Sequence, residues 1–161
     1  MIVSRNVCDP DLGEELWRLH RDELLCFATT LVGPDDAHDV VIDAFIRCVK
    51  TIHTVPAANR RAYLQRAVTN QAVSHHRSCG RRWRRDLAAL VNPVMSHEDT
   101  FADVRTALME LSVQQRAVVY FVYWEDEQVP QVAITLGMSV RTVRQHLDRA
   151  HVKLRKALHG Q

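Results

Sequence analysis

The sequence of 161 residues predicts an all-α fold made of two small helical domains. Apolar residues recur at intervals of three and four along most of the chain, which is the period of an amphipathic helix. Five glycines and five prolines are too few for a fold rich in strands and turns. A polar stretch interrupts the apolar pattern before a new one begins. We therefore predict one domain at 1–85, a short linker at 86–98 and a second domain at 99–161.

Two helices are predicted before residue 53. The first ends at Gly33 and Pro34, a pair that interrupts helical hydrogen bonding. Either Asp35 or Asp36 is expected to cap the second helix. The second helix has the most regular apolar stripe of the chain and an opposite face rich in aspartate. The stripe comprises Ala37, Val40, Val41, Ala44, Phe45, Cys48, Val49 and Ile52, and the opposite face comprises Asp35, Asp39, Asp43 and Arg47.

A third helix is expected at about 61–79, after a loop at 53–59 that contains Pro56. Its predicted buried residues are Tyr63, Leu64, Ala67 and Val68, whereas Arg66, Asn70, Ser74 and Arg77 share another face. After the linker, Ser112 and Gln115 fit a capping box at the start of a further helix.

The segment 128–150 has the pattern of a helix-turn-helix. Pro130 suits the first turn of a helix, and Ala133 is small enough for two helices to approach each other there. Gly137 permits a turn with positive φ, and Ser139 is a good N-cap for the second, recognition helix. The residues of that helix expected to face inward are Val140, Val143, Leu147, Ala150 and Leu154.

The charge distribution predicts contact with a polyanion at two places. The formal net charge is only +2, but the segment 60–85 holds eight arginines and no acid. The segment 141–156 holds six basic residues and one acid, whereas the acids concentrate at 9–43 and 98–127. Two basic segments separated by an acidic one are typical of a protein that binds nucleic acid. The alternative for either segment alone is a solvated helix face.

Several protein classes are excluded by composition. No apolar run is long enough to insert into a membrane, and the N-terminus lacks the apolar segment of a signal peptide, so we expect a cytoplasmic protein.

The four cysteines show no CxxC spacing, the spacing that is typical of zinc ribbons. His75 and His76 are adjacent, and His146 and His151 are five apart, so neither pair shares a helix face and no metal site is predicted. The chain ends soon after the last helix, and we expect no fused sensory domain.

Both halves of the chain resemble bacterial extracytoplasmic-function (ECF) sigma factors. The segments similar to the fourth conserved region of the family are 111–119, 132–133, 136–139, 142–144 and 147–150. The segment 36–45 resembles the second conserved region, which docks on the clamp helices of the RNA polymerase β′ subunit. The segment 62–72, followed by Arg77, is similar to the promoter-melting helix.

Some positions depart from the family pattern. They are His38 for a usual Glu, Ile42 for a usual Gln, Tyr63 for a usual Trp, Ser74 for a common Asp, and Pro130 with Gln131 for two frequent acids. None of these departures removes a basic residue from either predicted DNA-facing surface.

The resemblance implies a role for each matching residue. The residues implied in docking on core polymerase are Asp36, Asp39, Asp43 and Phe45. The residues implied at the −10 element are His53, Asn59, Arg60, Arg61, Arg66, Asn70, Arg77, Arg81 and Arg82, with Asn70 and the loop 53–59 holding one flipped base. The residues implied at the −35 element are Ser139, Arg141, Thr142, Arg144, Gln145, Asp148 and Arg149. The partners implied are the β′ clamp helices and the β flap of core polymerase, promoter DNA, and an anti-sigma factor as a family expectation.

Other functions stay open from the residues alone. A helix-turn-helix regulator that binds an operator without polymerase needs a dimer interface or a ligand pocket in the first half. An α-helical interaction module leaves the two acid-poor basic segments unexplained. An enzyme is least favoured, since the sequence has no clustered carboxylates, no glycine-rich phosphate loop and no nucleophile signature. We therefore expect no catalytic residue and no cofactor.

Overall fold

The structure is a computed structural model that describes residues 10–79 and 106–159. Most of these residues are helical, and neither range contains a strand, so the all-α prediction is confirmed. The helices are α1 (Pro10–Val32), α2 (Pro34–Val49), α3 (Arg60–Cys79), α4 (Val113–Tyr123), α5 (Val129–Leu136) and α6 (Val140–His159). Two short 3-10 turns, Ile52–Thr54 and Ala57–Asn59, lie between α2 and α3, and a helical turn at 106–109 precedes α4.

The chain divides into two compact units between Ala72 and Val73, which we call the N-terminal unit and the C-terminal unit. This division falls inside α3, whereas the linker was predicted at 86–98. The predicted linker and the predicted helix stop at Gly80 lie outside the described residues. The domain limits at 85 and 99 therefore stay predictions.

The junction between α1 and α2 forms at Gly33, as predicted, but the cap of α2 differs from the prediction. Gly33 itself is the N-cap, with φ 89° and ψ 167°, and Pro34 occupies the first turn. No side chain caps this end, so the prediction that Asp35 or Asp36 is the N-cap was wrong. The fixed φ of proline starts the helix one residue earlier and places both carboxylates inside the first turn, where they complement the helix dipole.

The core of the N-terminal unit contains most of the apolar residues predicted on α2 and α3, together with residues of α1. Phe45 and Val49 of the predicted α2 stripe are half-buried, and Ile52 is buried on the 3-10 turn after α2. The residues of α1 and α2 that are at most 2% exposed include Leu24, Phe27, Ala28, Leu31, Ala37, Val40, Val41 and Ala44. Leu64, Val68 and Ala72 bring α3 into the same core, while Tyr63 and Ala67 are only half-buried. Each large side chain that is removed from water in this way contributes about 1.5–3 kcal/mol to folding.

Side-chain hydrogen bonds also tie α3 to α1. Glu23 of α1 accepts a bond from Arg61 Nε at 2.9 Å and one from Gln65 Nε2 at 2.7 Å. Gln65 is 1% exposed, so its amide depends on this carboxylate for a partner inside the protein. The Tyr63 hydroxyl lies 2.9 Å from Thr51 Oγ1, which gives this half-buried tyrosine a hydrogen-bond partner.

The C-terminal unit begins with the capping box that the sequence predicts. Gln115 N–H donates to Ser112 Oγ at 3.2 Å, and Ser112 N–H donates to Gln115 Oε1 at 3.0 Å. Phe121 has no exposed surface and lies in the core of the unit. Arg116 is 1% exposed, and its Nε donates to the carbonyl oxygen of Leu111 at 3.2 Å. Burial lowers the pKa of this guanidinium to about 10, so the group stays charged at neutral pH.

Candidate nucleic-acid interface

The geometry of a helix-turn-helix is present at α5 and α6. Gly137 ends α5 in the left-handed conformation, with φ 65° and ψ 39°. Ser139 Oγ accepts the N–H of Thr142 at 3.0 Å and lies 2.7 Å from its hydroxyl, which caps α6 as the sequence predicts. Ala133 is 5% exposed and Val143 is fully buried. The small residue, the left-handed glycine and the cap therefore occupy the positions that the motif requires.

The outer face of α6 carries polar side chains that the structure leaves available. The exposed residues are Arg141, Arg144, Gln145, Asp148 and Arg149. Within the described residues, no hydrogen bond or ion pair engages these side chains. Val143 and Ala150 are buried as predicted, whereas Val140, Leu147 and Leu154, which were also expected to face inward, are half-buried. Ser139 and Thr142 of the predicted −35 set are partly occupied by the cap itself.

A histidine lies beside this outer face. Burial, and then the charge of Arg149, lower the pKa of His146 below its ordinary value. Its Nδ1 atom is buried and has no hydrogen-bond partner among the described residues. The imidazole is therefore neutral at pH 7, and the positive charge of this part of α6 comes from its arginines.

The second candidate surface lies on α3 and the turns before it. Arg66, Asn70 and Arg77 are exposed on α3, at intervals of about one and about two turns that place them on one side of the helix. His53 and Asn59 are exposed on the two 3-10 turns, which replace the irregular loop expected at 53–59. Pro56 separates the turns in an extended conformation, with ψ 140°.

Not every predicted arginine is available in the same way. Arg60 Nε donates to the carbonyl oxygen of Val55 at 3.2 Å, and Arg61 is paired with Glu23. Both are half-buried, in contrast to the exposed Arg66. Arg81 and Arg82 lie outside the described residues. For every arginine of this predicted set, contact with DNA phosphates stays a prediction.

The aspartates predicted to dock on polymerase lie on α2. Asp39 and Asp43 are exposed, and Asp36 is half-buried. Phe45 lies apart from them on the side of α2 that faces α1, where its ring centroid is 5.0 Å from that of Trp17. The two rings line an apolar groove of about 470 Å³, with Gly13, Glu14, Ile46, Val49 and Lys50.

One polar link of the N-terminal unit was missed by the sequence analysis. The amide of Gln71 on α3 bonds both Asp43 and Arg47 of α2. Gln71 lies 28 and 24 residues from these partners, so no local spacing signals the contact. The buried Arg116 was missed for another reason, because arginine is rarely buried and the residue type alone predicts an exposed side chain.

Nothing in the described residues indicates a metal, a reactive thiol or a membrane span. They contain no group of three or more residues that is able to ligate a metal ion. Cys26 and Cys48 are free, and burial raises the pKa of the Cys48 thiol to about 11, so it is protonated at neutral pH. Across the two described ranges, we find no helix with the length and apolar character of a transmembrane span.

Comparison with known proteins identifies the family. The family model described as Sigma-70, region 4 matches residues 101–154, which include the helix-turn-helix. The RNA polymerase sigma-E factor of Streptomyces avermitilis is 33% identical over 156 residues, covering 90% of this chain and 84% of that protein. The chain belongs to the ECF family of RNA polymerase sigma factors. The ECF RNA polymerase sigma factor SigE of Mycolicibacterium smegmatis is 29% identical, with 90% of this chain and 61% of that protein covered.

A solved sigma factor has the same fold. RpoE of Bartonella quintana, crystallised with the anti-sigma factor NepR, matches with a TM-score of 0.66 at 24% sequence identity. The match covers 92% of this chain and 97% of that one. The family membership and the helical architecture inferred from the sequence are thus confirmed. A sigma factor is favoured over a helix-turn-helix regulator that acts without polymerase.

Proposed function

We propose that this sigma factor binds core RNA polymerase and recognises promoters through its α6 and α3 surfaces. The observation that carries the proposal is the outer face of α6, which presents three arginines and a glutamine without partners in the described protein. The face begins directly after a well-formed N-cap, at the end of the helix that enters the major groove in helix-turn-helix proteins.

At the −35 element, Arg144 and Gln145 are the residues expected to read bases. Arginine pairs with the O6 and N7 acceptors of guanine, and glutamine pairs with adenine, each with about 1–3 kcal/mol of discrimination. Arg141 and Arg149 flank them and are suited to phosphates, which position the helix without reading sequence. Asp148 is the acid of the set and is suited to accept a bond from cytosine N4.

At the −10 element, Asn70 is expected to hold a base that leaves the stack. An amide offers both donors and an acceptor to a base edge, and Asn70 is exposed on the same helix as Arg66 and Arg77. Unstacking the base costs a few kcal/mol, which these contacts have to offset. A guanidinium carries five N–H donors, so a phosphate contact by Arg60 does not require breaking its bond to Val55.

Core polymerase is the partner expected for the acidic face of α2. Asp36, Asp39 and Asp43 present carboxylates that complement a basic surface, and we assign this face to the β′ clamp helices. The C-terminal unit is assigned to the β flap. No catalytic residue is required, because the nucleotide chemistry belongs to the polymerase, and the place of action is the cytoplasm. An anti-sigma partner is also proposed, supported by the NepR-bound relative.

A mobility-shift assay on promoter duplex, with and without core polymerase, tests the proposal. We expect a specific shifted complex only when core is present. Asp39→Lys should abolish the complex by weakening core binding, whereas the exposed α1 variant Glu15→Lys serves as the matched control and should not. Sequence-specific binding of the protein alone to duplex, unaffected by core, would instead identify a regulator that acts without polymerase.

A further inference from the structure

The side chain of Gln71 bridges two oppositely charged residues of α2. Its Oε1 accepts a hydrogen bond from Arg47 Nη1 at 2.8 Å, and its Nε2 donates to Asp43 Oδ2 at 3.0 Å. Gln71 is half-buried on α3, and both of its partners are exposed. The orientation of the amide is fixed by chemistry, because a guanidinium only donates and a carboxylate only accepts.

In an isolated α2, Asp43 and Arg47 would be expected to pair with each other directly. Asp43 and Arg47 are four residues apart, a spacing at which opposite charges pair directly on a helix surface. Here the amide from α3 is inserted between them, so each charge bonds α3 instead of its helical neighbour. Hydrogen bonds to charged groups are stronger than neutral ones, which favours the inserted arrangement. The bridge therefore links the two helices by their side chains.

The bridge joins the two proposed binding surfaces of the N-terminal unit. Asp43 belongs to the face assigned to polymerase, and Asn70, the residue assigned to the captured base, directly precedes Gln71. Nearer the N-terminus of α3, the Gln65 amide donates to Glu23 and holds α3 to α1. The positions 65 and 71 are six residues apart, or about 9 Å along the helix axis. The helix is thus fixed at two points, and Gln71 is the point next to Asn70.

We propose that Gln71 is a positioning residue for promoter opening. Its bridge sets the place of Asn70 relative to the polymerase-docking face, so that the base leaving the stack meets the amide that holds it. The proposal rests on the proposed function of α2 and α3. The packing of Leu64, Val68 and Ala72 does not depend on the bridge, so the helix folds without it.

The test uses exchange of the bonding groups as well as truncation. Gln71→Ala removes both bonds. Gln71→Glu keeps an acceptor for Arg47 but replaces the donor to Asp43 by an oxygen, so that two carboxylates face each other. The combination of Asp43→Asn with Gln71→Glu exchanges donor and acceptor and restores both bonds. Gln114→Ala, the same truncation on α4, is the matched control. Each full-length variant is assayed for thermal unfolding, for core binding, and for the rate of open-complex formation at saturating core.

Opening is measured on a promoter duplex and on the same template with mismatches that pre-melt the −10 region. For Gln71→Ala we expect core binding near that of the wild type and opening of the duplex slower by about three- to tenfold, the range that one or two such bonds support. The pre-melted template should recover most of the rate, because the base is already out of the stack. Gln71→Glu should be at least as slow on duplex, and the exchanged pair should recover.

The proposal is overturned if Gln71→Ala opens duplex at the wild-type rate, if the loss is equal on both templates, or if the exchanged pair at saturating core opens duplex no faster than Gln71→Glu. Asp43→Asn alone, which keeps an acceptor for the Gln71 amide, measures any loss that comes from removing a carboxylate of the docking face. An equal loss on both templates is the signature of a purely structural role. If Gln71→Ala unfolds at the assay temperature, the contrast between Gln71→Glu and the exchanged pair decides the question. Failure of the wild-type protein to bind core is a different result, which overturns the proposed function instead.

Discussion

The two units of this sigma factor prepare their DNA-facing helices in different ways. In the N-terminal unit, α3 is positioned by side chains from other helices, since Glu23 and Asp43 both bond residues of α3. In the C-terminal unit, the start of α6 is positioned by local features, namely the Ser139 cap and the left-handed Gly137. The long-range side-chain bonds of α6 lie in its second half, where His151 meets Tyr123 and Lys153 donates to the carbonyl oxygen of Glu110. The arginines at the start of the two helices differ in the same way. Arg61 on α3 is ion-paired with Glu23, whereas Arg141 on α6 makes no hydrogen bond or ion pair within the described residues.

We relate this difference to the two tasks proposed for these helices. A recognition helix that enters the groove of intact duplex needs a rigid start and an outer face that is ready to bind. A helix that takes part in opening the duplex has to be held in register with the surface that binds polymerase. Long-range polar bonds provide that register in the N-terminal unit, and their loss is expected to affect function in a different way from the loss of a cap.

The largest expected effect is shared by the two units and tests their cores. Phe27 and Phe121 have no exposed surface, and replacing either by alanine should lower the free energy of unfolding by about 3–5 kcal/mol. Leu19→Ala on α1, where the side chain is 69% exposed, is the control and should change little. Urea unfolding followed by circular dichroism measures all three. A small loss for either phenylalanine would contradict the packing described here.

Glu23→Ala probes the long-range bonds of the N-terminal unit. Its removal leaves the buried Gln65 amide without this acceptor, which should cost about 1–3 kcal/mol of stability. Glu15→Ala, on the exposed side of the same helix, is the matched control. Equal stability of the two variants in urea unfolding would show that the bonds between α1 and α3 contribute nothing measurable.

Arg144→Ala probes the outer face of α6. We expect a relaxed −35 preference at one base pair, with a loss of about 1–3 kcal/mol of discrimination. Competition between promoter duplexes that differ at single −35 positions, bound by the holoenzyme, measures it. Arg141→Ala, at a residue assigned to phosphate, should instead weaken all sequences alike and lower the salt dependence. Undiminished −35 preference in Arg144→Ala would exclude base reading by this residue.

Ser139→Ala probes the local cap of α6. Loss of the bond from the Thr142 N–H should cost about 1 kcal/mol of stability. Because the cap holds the start of the recognition helix, binding to every −35 sequence should weaken without a change in preference. Ser112→Ala removes the equivalent cap of α4 and should cost similar stability without affecting DNA binding directly. A change of sequence preference in Ser139→Ala would assign the hydroxyl to base contact.

The smallest effect is a pH dependence of the C-terminal unit. The pKa of His146 is below its ordinary value in the folded protein, so the unfolded chain binds more protons between the folded pKa and the unfolded value of about 6.5. The contribution of this group is fully present above pH 6.5 and is lost as the pH falls through the folded pKa. His146→Gln should flatten this dependence in unfolding measurements. An unchanged pH profile would contradict the buried, neutral histidine.

The same division explains how far the sequence predicts the structure. Caps, glycine turns and apolar spacing are short-range signals, so the helix-turn-helix, the capping box and the exposed residues of α3 were predicted correctly. Tyr63 and Ala67 were expected to be buried and are half-buried. The cap of α2 falls on Gly33 and not on an aspartate, because Pro34 starts the helix before the first carboxylate. The bonds of Gln71 and Glu23 were not predictable, since they join residues 24–42 positions apart that only the fold brings together.

Run-off transcription tests the central claim most directly. Purified core polymerase, with and without the protein, is supplied with genomic fragments that contain candidate promoters. We predict transcripts from defined start sites only when the protein is added, and their loss with Asp39→Lys. No start site in the presence of the protein, or transcription that is indifferent to its addition, would contradict the assignment of these helices to promoter recognition.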